Sequence, residues 1–317
     1  MVGILKFTDG LISGTADVLR AGTLSSTTLN GSFTAPDNQG RGTANLNDGS
    51  GLSTGYVYYL IDSNSMNLLE TDNSNLGGGH AEIQTGSNFS NASLSGGFSF
   101  RSQGDTLTHN SGVNSAGALT GDGNGNITGG SYDSVQDGVP ISNASLEGSY
   151  SIDERGRATI SLSPQGSNSV NQIGWMVSSN RAFFLVNATD RVEDGVMDQQ
   201  SGAPFSVAST KGQYAFYMHG YNQNANVRID RVGTLVFDDG KATVAFNNYY
   251  MNRGGSLSQI GALGVAYMTS SNGRVFSSPS GVSSDLIVYL TSSSSASLVL
   301  GDSGIEISGR VEQQVVP

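Results

Sequence analysis

The chain of 317 residues contains no cysteine. That excludes a disulfide framework, a thiolate zinc site and a cysteine nucleophile. Charge is scarce as well: Asp, Glu, Lys and Arg make up 13% of the residues, about half the usual share in a soluble domain. The charge present leans acidic, 15 basic against 26 acidic residues for a net of −11. Such a balance speaks against nucleic acid or an anionic membrane as a partner. No apolar run approaches the ~18–20 residues of a membrane-spanning helix. No window of about 11 residues or more carries the i, i+3, i+4, i+7 pattern, so almost no helix is expected.

Glycine and serine are abundant, at 44 and 48 residues. The hydrophobic share of 36%, with 12 Phe and 12 Tyr, suffices for several small cores. The strongest signal is internal repetition. The turn Thr8-Asp9-Gly10 recurs as Gly123-Asn124-Gly125 and Asp238-Asp239-Gly240, with a step of 115 between the final glycines. Leu29/Phe33, Leu146/Tyr150 and Leu263/Tyr267 recur at a step of 117. A Gly-Arg turn follows at Gly40-Arg41, Gly156-Arg157 and Gly273-Arg274, and each unit closes on Glu82/Gln84, Asp198/Gln200 or Glu312/Gln314. These landmarks divide the chain into units of about 1–86, 87–203 and 204–317, joined by polar, turn-rich segments.

Within a unit, apolar residues alternate with period two, as in Gly97-Phe98-Ser99-Phe100-Arg101, and Asn-Gly or Asp-Gly turns separate the runs. Unit two reads as eight strands near 94–103, 114–121, 126–135, 144–152, 157–163, 171–178, 181–188 and 193–200. The fold class is therefore all-β, three tandem antiparallel up-and-down β-barrel-like units, with two-sheet sandwiches as the alternative. Unit one begins at what should be its second strand, because Gly3-Ile4-Leu5 matches Gly117-Ala118-Leu119. It is expected to lack its first strand. Either the chain is a fragment or has a mis-called start, which would also account for the missing signal peptide, or another chain fills the gap. An unpaired edge is a template for strand addition, so copies of the same chain are the expected partner.

Chemical motifs are sparse. Gly51-Leu52-Ser53-Thr54-Gly55 matches the nucleophile-elbow pattern, but a chain this rich in Gly and Ser yields such a match by chance. Gly301-Asp302-Ser303-Gly304 resembles a protease nucleophile segment without an Ala-His partner upstream. The three histidines, His80, His109 and His219, lack metal-ligand spacing. Asp122, Asn124 and Asn126, with Asp133 further along, have the oxygen-ligand spacing of a calcium loop, but a hairpin turn is the preferred reading, because Ile127 stands where such a loop needs glycine and the equivalent turns lack the pattern. No other cofactor is indicated. The recurrent Arg41, Arg157 and Arg274 and the recurrent acids Glu82, Asp198 and Glu312 suit structural salt bridges at a barrel rim, or else a repeated ligand site. Asp190-Arg191-Val192-Glu193-Asp194 reads as a solvated charged hairpin. The lone Trp175 is expected in a core or at a barrel mouth, and alternation splits Tyr56, Tyr58 and Tyr59 between two faces.

The run Gly121-Asp122-Gly123-Asn124-Gly125-Asn126-Ile127-Thr128-Gly129-Gly130, then Leu146-Glu147-Gly148-Ser149-Tyr150, then Gly156-Arg157-Ala158-Thr159, resembles a repeat of exported proteins of soil bacteria, acidobacteria above all. The resemblance covers unit two well and the others loosely. It implies export and surface display, and no activity. The expectation is thus a non-catalytic secreted or cell-surface protein with a structural, adhesive or assembly role, polymerising by strand complementation. A barrel-type binding module for a small apolar ligand or glycan is the alternative, and an extracellular hydrolase the second alternative.

Overall fold

The computed structural model of the chain describes residues 1–49, 53–72, 77–108, 111–277, 286–300 and 304–315. Nearly all of its regular structure is β. Unit one contributes β1 (Val2–Thr8), β2 (Leu11–Arg20), β3 (Thr23–Phe33) and β4 (Arg41–Asn47). It continues with β5 (Ser53–Leu60), β6 (Ser65–Glu70) and β7 (Gly78–Glu82). Each strand pairs with the next, giving a seven-stranded antiparallel sheet in chain order. Among the described residues β1 and β7 do not pair with each other, so the sheet is an open half-barrel.

Unit two forms a closed barrel of eight strands. These are β8 (Ser95–Thr106), β9 (Gly112–Asp122), β10 (Asn126–Gln136) and β11 (Val139–Ile152). They are followed by β12 (Arg157–Pro164), β13 (Val170–Ser178), β14 (Arg181–Val186) and β15 (Arg191–Gln199). The ring closes where β15 pairs with β8, Met197 opposite Phe100. This is the up-and-down arrangement expected from the turns, and no sandwich forms. All eight expected strands are present, most of them longer than the sequence pattern suggested.

Alternation decides what enters the barrel. Phe98 and Phe100 point inward, with Leu119, Leu146, Leu162, Met176, Phe184 and Met197, in one apolar cluster. Burying each of these side chains contributes about 1.5–3 kcal/mol. Gly117 is required opposite Phe100, because a Cβ there would sit 2.4 Å from the ring. Tyr150 closes one end, donating its hydroxyl to the Leu94 carbonyl at 2.7 Å.

Unit three follows a related plan as a ten-stranded antiparallel sheet. Its strands are β16 (Gly212–Asn222), β17 (Val227–Asp238), β18 (Thr243–Arg253), β19 (Ser256–Ile260) and β20 (Leu263–Ala266). Next come β21 (Met268–Thr269), β22 (Arg274–Ser277), β23 (Leu286–Leu290), β24 (Ser295–Leu300) and β25 (Ile305–Gln313). β16 pairs with β25, as β8 does with β15. The place of the long β11 is taken by three pieces. β19 and β20 pair with β18, β21 pairs with β22, and Tyr267 links the last two of the three. The Tyr267 N–H still donates to the Ala242 carbonyl at 2.9 Å, the counterpart of Tyr150 to Gly125 at 2.8 Å.

Candidate functional site at the joints between units

Alternation along β2 turns Ala16 and Val18 inward and leaves Asp17 on the outer face, where unit two covers it completely. Arg157 starts β12 just after Gly156, whose φ of 88° favours glycine, and lies across from Trp175 on β13. The Arg157 guanidinium grips Asp17 in a two-pronged pair, Nε to Oδ2 at 2.9 Å and Nη2 to Oδ1 at 2.8 Å. Trp175 donates its indole N–H to Oδ2 at 2.9 Å and Ser26 its hydroxyl to Oδ1 at 2.6 Å. Burial pushes the Asp17 carboxyl up, but the hydrogen bonds from Arg157, Ser26 and Trp175 outweigh it and hold the group below its ordinary value. Around this clamp Val2, Leu19, Trp175 and Leu185 form a small apolar cluster shared by the two units.

The same construction recurs one repeat later. Asp133 on β10 lies opposite Ala116 as Asp17 lies opposite Val2, and the two acids are 116 residues apart. Arg274 donates from Nε and Nη2 to the two Asp133 oxygens, both at 2.7 Å, and Tyr289 donates its hydroxyl to Oδ2. Arg274 faces Tyr289 across β22 and β23 as Arg157 faces Trp175. Burial alone would lower the Arg274 pKa, yet its hydrogen bonds to Asp133 raise it. The Tyr289 phenol is pushed well above its ordinary value, by burial first and the neighbouring Asp133 second. Ala116, Ala118, Ile287, Tyr289 and Val299 pack around the pair. This joint adds Glu306, which is fully buried and accepts N–H bonds from Gly112 at 2.7 Å and Gly138 at 2.6 Å. Its carboxyl is pushed up by burial against those bonds.

A glutamine latches each joint. Gln84 donates its side-chain amide to the Met176 and Arg155 carbonyls of unit two at 2.8 and 3.0 Å. Gln200 does the same to Leu290 and Asn272 of unit three at 2.7 and 2.9 Å. The next residues continue the pattern, Thr85 N–H to the Val177 carbonyl and Ser201 N–H to the Thr291 carbonyl.

The rim salt bridges expected within units are corrected by this geometry. Arg157 pairs with Asp17 of the preceding unit and not with Asp198, and Arg274 pairs with Asp133 and not with Glu312. β12 and β15 are three strands apart in the ring, about 14 Å at the usual strand spacing, so Arg157 and Asp198 cannot meet. The acids take other arginines: Arg181 bridges Glu82 at 3.0 Å and Asp198 at 2.5 Å, and Arg310 pairs with Glu312. Arg41 has no carboxylate within salt-bridge range among the described residues; its backbone N–H donates to Asp37.

The calcium candidates do not converge. Asp122 accepts the Asn124 N–H, the Asn126 N–H and the Asn126 side chain at 2.7, 3.0 and 2.7 Å, a closed turn. Those bonds, the Asn126 side chain first, hold its carboxyl below the ordinary value. Asp133 lies seven residues beyond Asn126 along β10, roughly 23 Å at strand rise, and both its oxygens are taken by donors of the joint.

Glu193 is corrected too. It is buried rather than solvated, with Arg191 at 2.8 Å and Ser102 at 2.5 Å inside the barrel end. Trp175 lies between units rather than in a barrel core. Tyr56 and Tyr58 face inward and Tyr59 outward, as alternation predicts. Ser53–Gly55 lies in strand β5 and not at a strand-to-helix bend, while 51 and 52 fall outside the described residues. So do His109 and the segment 301–303. His80 bonds Asn67 and Glu82, and His219 stacks on Tyr217, far from each other in the fold.

Sequence reasoning missed Asp17 and Tyr289, and it singled out Asp133 only as a calcium candidate. The signal was available: the two acids recur at the same step as the landmarks. Among the described residues no group of three or more His, Cys, Asp or Glu is placed to hold a metal. Two open depressions lie on the surface, about 260 Å³ on the outer face of unit three and about 470 Å³ beside the first hairpin of unit one.

No family model matches the chain, and no curated protein matches it either. Among solved structures it is similar to a double mutant of the vaccine antigen transferrin-binding protein B from Haemophilus parasuis, at 10% identity and a TM-score of 0.23. The match covers 97% of this chain and 64% of that one, just under two thirds of its length. So slight a likeness assigns neither a family nor a function, and the clamped joints stand as the site to interpret.

Proposed function

We propose that this chain is a non-catalytic structural protein, secreted or held at the cell surface, whose barrel-like units are stacked by repeated clamps into a stiff spacer for adhesion or assembly. One observation carries the reading: an acid, an arginine, an aromatic donor and a glutamine make the same joint twice. Inter-domain contacts within a chain are by default mobile unless they are large and apolar; these joints are clamped by buried charge and latched at the linker. The resemblance of unit two to repeats of exported proteins supports the location. The open edges of unit one, β1 and β7, give strand addition by a second copy a place to occur.

The alternative, a ligand-holding barrel, calls for a roomy aromatic-lined interior. Phe98, Phe100, Tyr150 and Phe184 instead fill the unit-two interior, and the open depressions lie outside it. Small-angle X-ray scattering on the intact chain tests the reading, with a stiff particle of fixed inter-unit geometry as the expected result. A particle with freely reorienting units would overturn it, as would one-to-one uptake of an apolar fluorescent probe into unit two.

A further inference from the structure

The internal joint has two faces. One is the outer face of the earlier unit, which brings the acid; the other is the outer face of the later unit, which brings the arginine and the aromatic. Units one and three each leave one of these faces uncovered. In unit one, Arg41 lies opposite Tyr59 and Val57 opposite Leu69, the pairings made by Arg157 with Trp175 and Ile173 with Leu185 in unit two. Trp175 and Leu185 are 4% and 1% exposed, whereas Tyr59 and Leu69 are 50% and 60% exposed. Arg41 is itself exposed.

At the other end, Val232 and Tyr250 lie opposite each other on β17 and β18, where unit two has Ala116 and Asp133. Both are exposed, unlike their buried counterparts. Asp230, two residues along β17, is exposed and has no cation within salt-bridge range among the described residues. Both faces present large apolar side chains, one beside Arg41 and the other beside Asp230, which lies opposite His219 on β16.

We propose that these two faces bind each other between copies: the outer face of unit three of one chain docks on the outer face of unit one of the next. This rests on the stacking role above and names the partner, a second copy of this chain. Arg41 stacks on the Tyr250 ring and reaches Asp230, whose carboxylate replaces the missing acid, while Tyr59 and Leu69 pack on Val232. Arginine over an aromatic face is a recognised contact, and the interface continues one already built twice inside the chain. Because the two faces differ, the association is head-to-tail, so it extends past the dimer into a ring or a filament.

Sedimentation velocity on the intact chain, from micromolar to millimolar concentration, is the test. A ladder of oligomers that does not stop at the dimer is expected. Arg41→Glu or Asp230→Arg weakens it by about tenfold or more, and the two changes combined restore it, as close charge pairs do. The chain has no cysteine of its own, so Tyr59→Cys with Val232→Cys should give intermolecular disulfides under oxidation. An unchanged far-ultraviolet circular dichroism spectrum and unfolding midpoint certify that each variant is folded, unit three included. A monodisperse monomer at the highest concentration overturns the proposal and leaves the stiff-spacer reading to its scattering test. Oligomers indifferent to Arg41→Glu and Asp230→Arg also overturn it, and assign the association to the open edges of unit one.

Discussion

The two joints are built from the same parts and differ in how wet they are. At the first, the Arg157 side chain keeps 27% of its surface exposed while it holds Asp17; at the second, Arg274 keeps 7%. The second joint also exchanges an indole for a phenol and adds Glu306, buried and bound by two backbone N–H groups. A clamp whose arginine can return to water loses little when its acid is removed. A clamp whose arginine is sealed in leaves an orphan charge behind. One motif thus takes two forms, with the arginine partly open to water at the first joint and sealed from it at the second.

Removing the acids is the sharpest way to break this comparison. Asp133→Ala should cost about 3–5 kcal/mol, the usual penalty for stranding a buried charge, measured by denaturant unfolding of the intact chain. Asp17→Ala should cost less, about 1–3 kcal/mol for a lost bond to a charged group, and should shift the emission of Trp175, the only tryptophan, to the red. Equal costs at the two positions would erase the distinction. Next in size come the latches: Gln84→Ala and Gln200→Ala should each lose about 1 kcal/mol. The smallest effect is expected from Arg228→Ala, which removes an exposed ion pair to Asp105 across the second joint (3.3 Å); its cost should stay within about 0–1 kcal/mol.

Acidity sharpens the comparison further, since it acts on the two joints with opposite sign. Asp17 has its folded pKa below the ordinary 3.8, so its contribution is present above that value and is lost as the pH falls through the lower folded one. Glu306 has its folded pKa above the ordinary 4.5, so acidification from neutrality through that raised value stabilises the second joint. An acid titration should therefore open the first joint, as reported by Trp175 emission, below the pH range in which protonation of Glu306 strengthens the second. Trp175 emission that stays unchanged through the acid range would contradict the Asp17 assignment.

Much of the fold was legible because its causes are local. The alternation of Phe98, Ser99 and Phe100 and the Asp-Gly and Asn-Gly turns specify strands and hairpins without reference to distant chain, and the repeat supplied each unit's equivalences. The clamps were not legible in the same way. A recurrent arginine and a recurrent acid show the same step whether they meet inside a unit or across a boundary, so Arg157 was matched to Asp198 instead of Asp17. Only the strand order in the ring, which places β12 and β15 three strands apart, separates the two cases. Glu193 illustrates a second limit: its run of charge looks solvated, and the barrel end that encloses it is assembled from Ser102 and Ser115 on other strands.

Each clamp joins an acid to an arginine some 140 residues later, 140 in one case and 141 in the other. During synthesis, the carboxylate is therefore made long before the cation that will cover it. At about 5–20 residues per second, Asp17 stays hydrated for on the order of ten seconds before Arg157 is even polymerised. The stack is consequently sealed in one direction, from the first-made unit towards the last, and a nascent chain halted between units carries a solvated acid on its leading face and no stranded arginine.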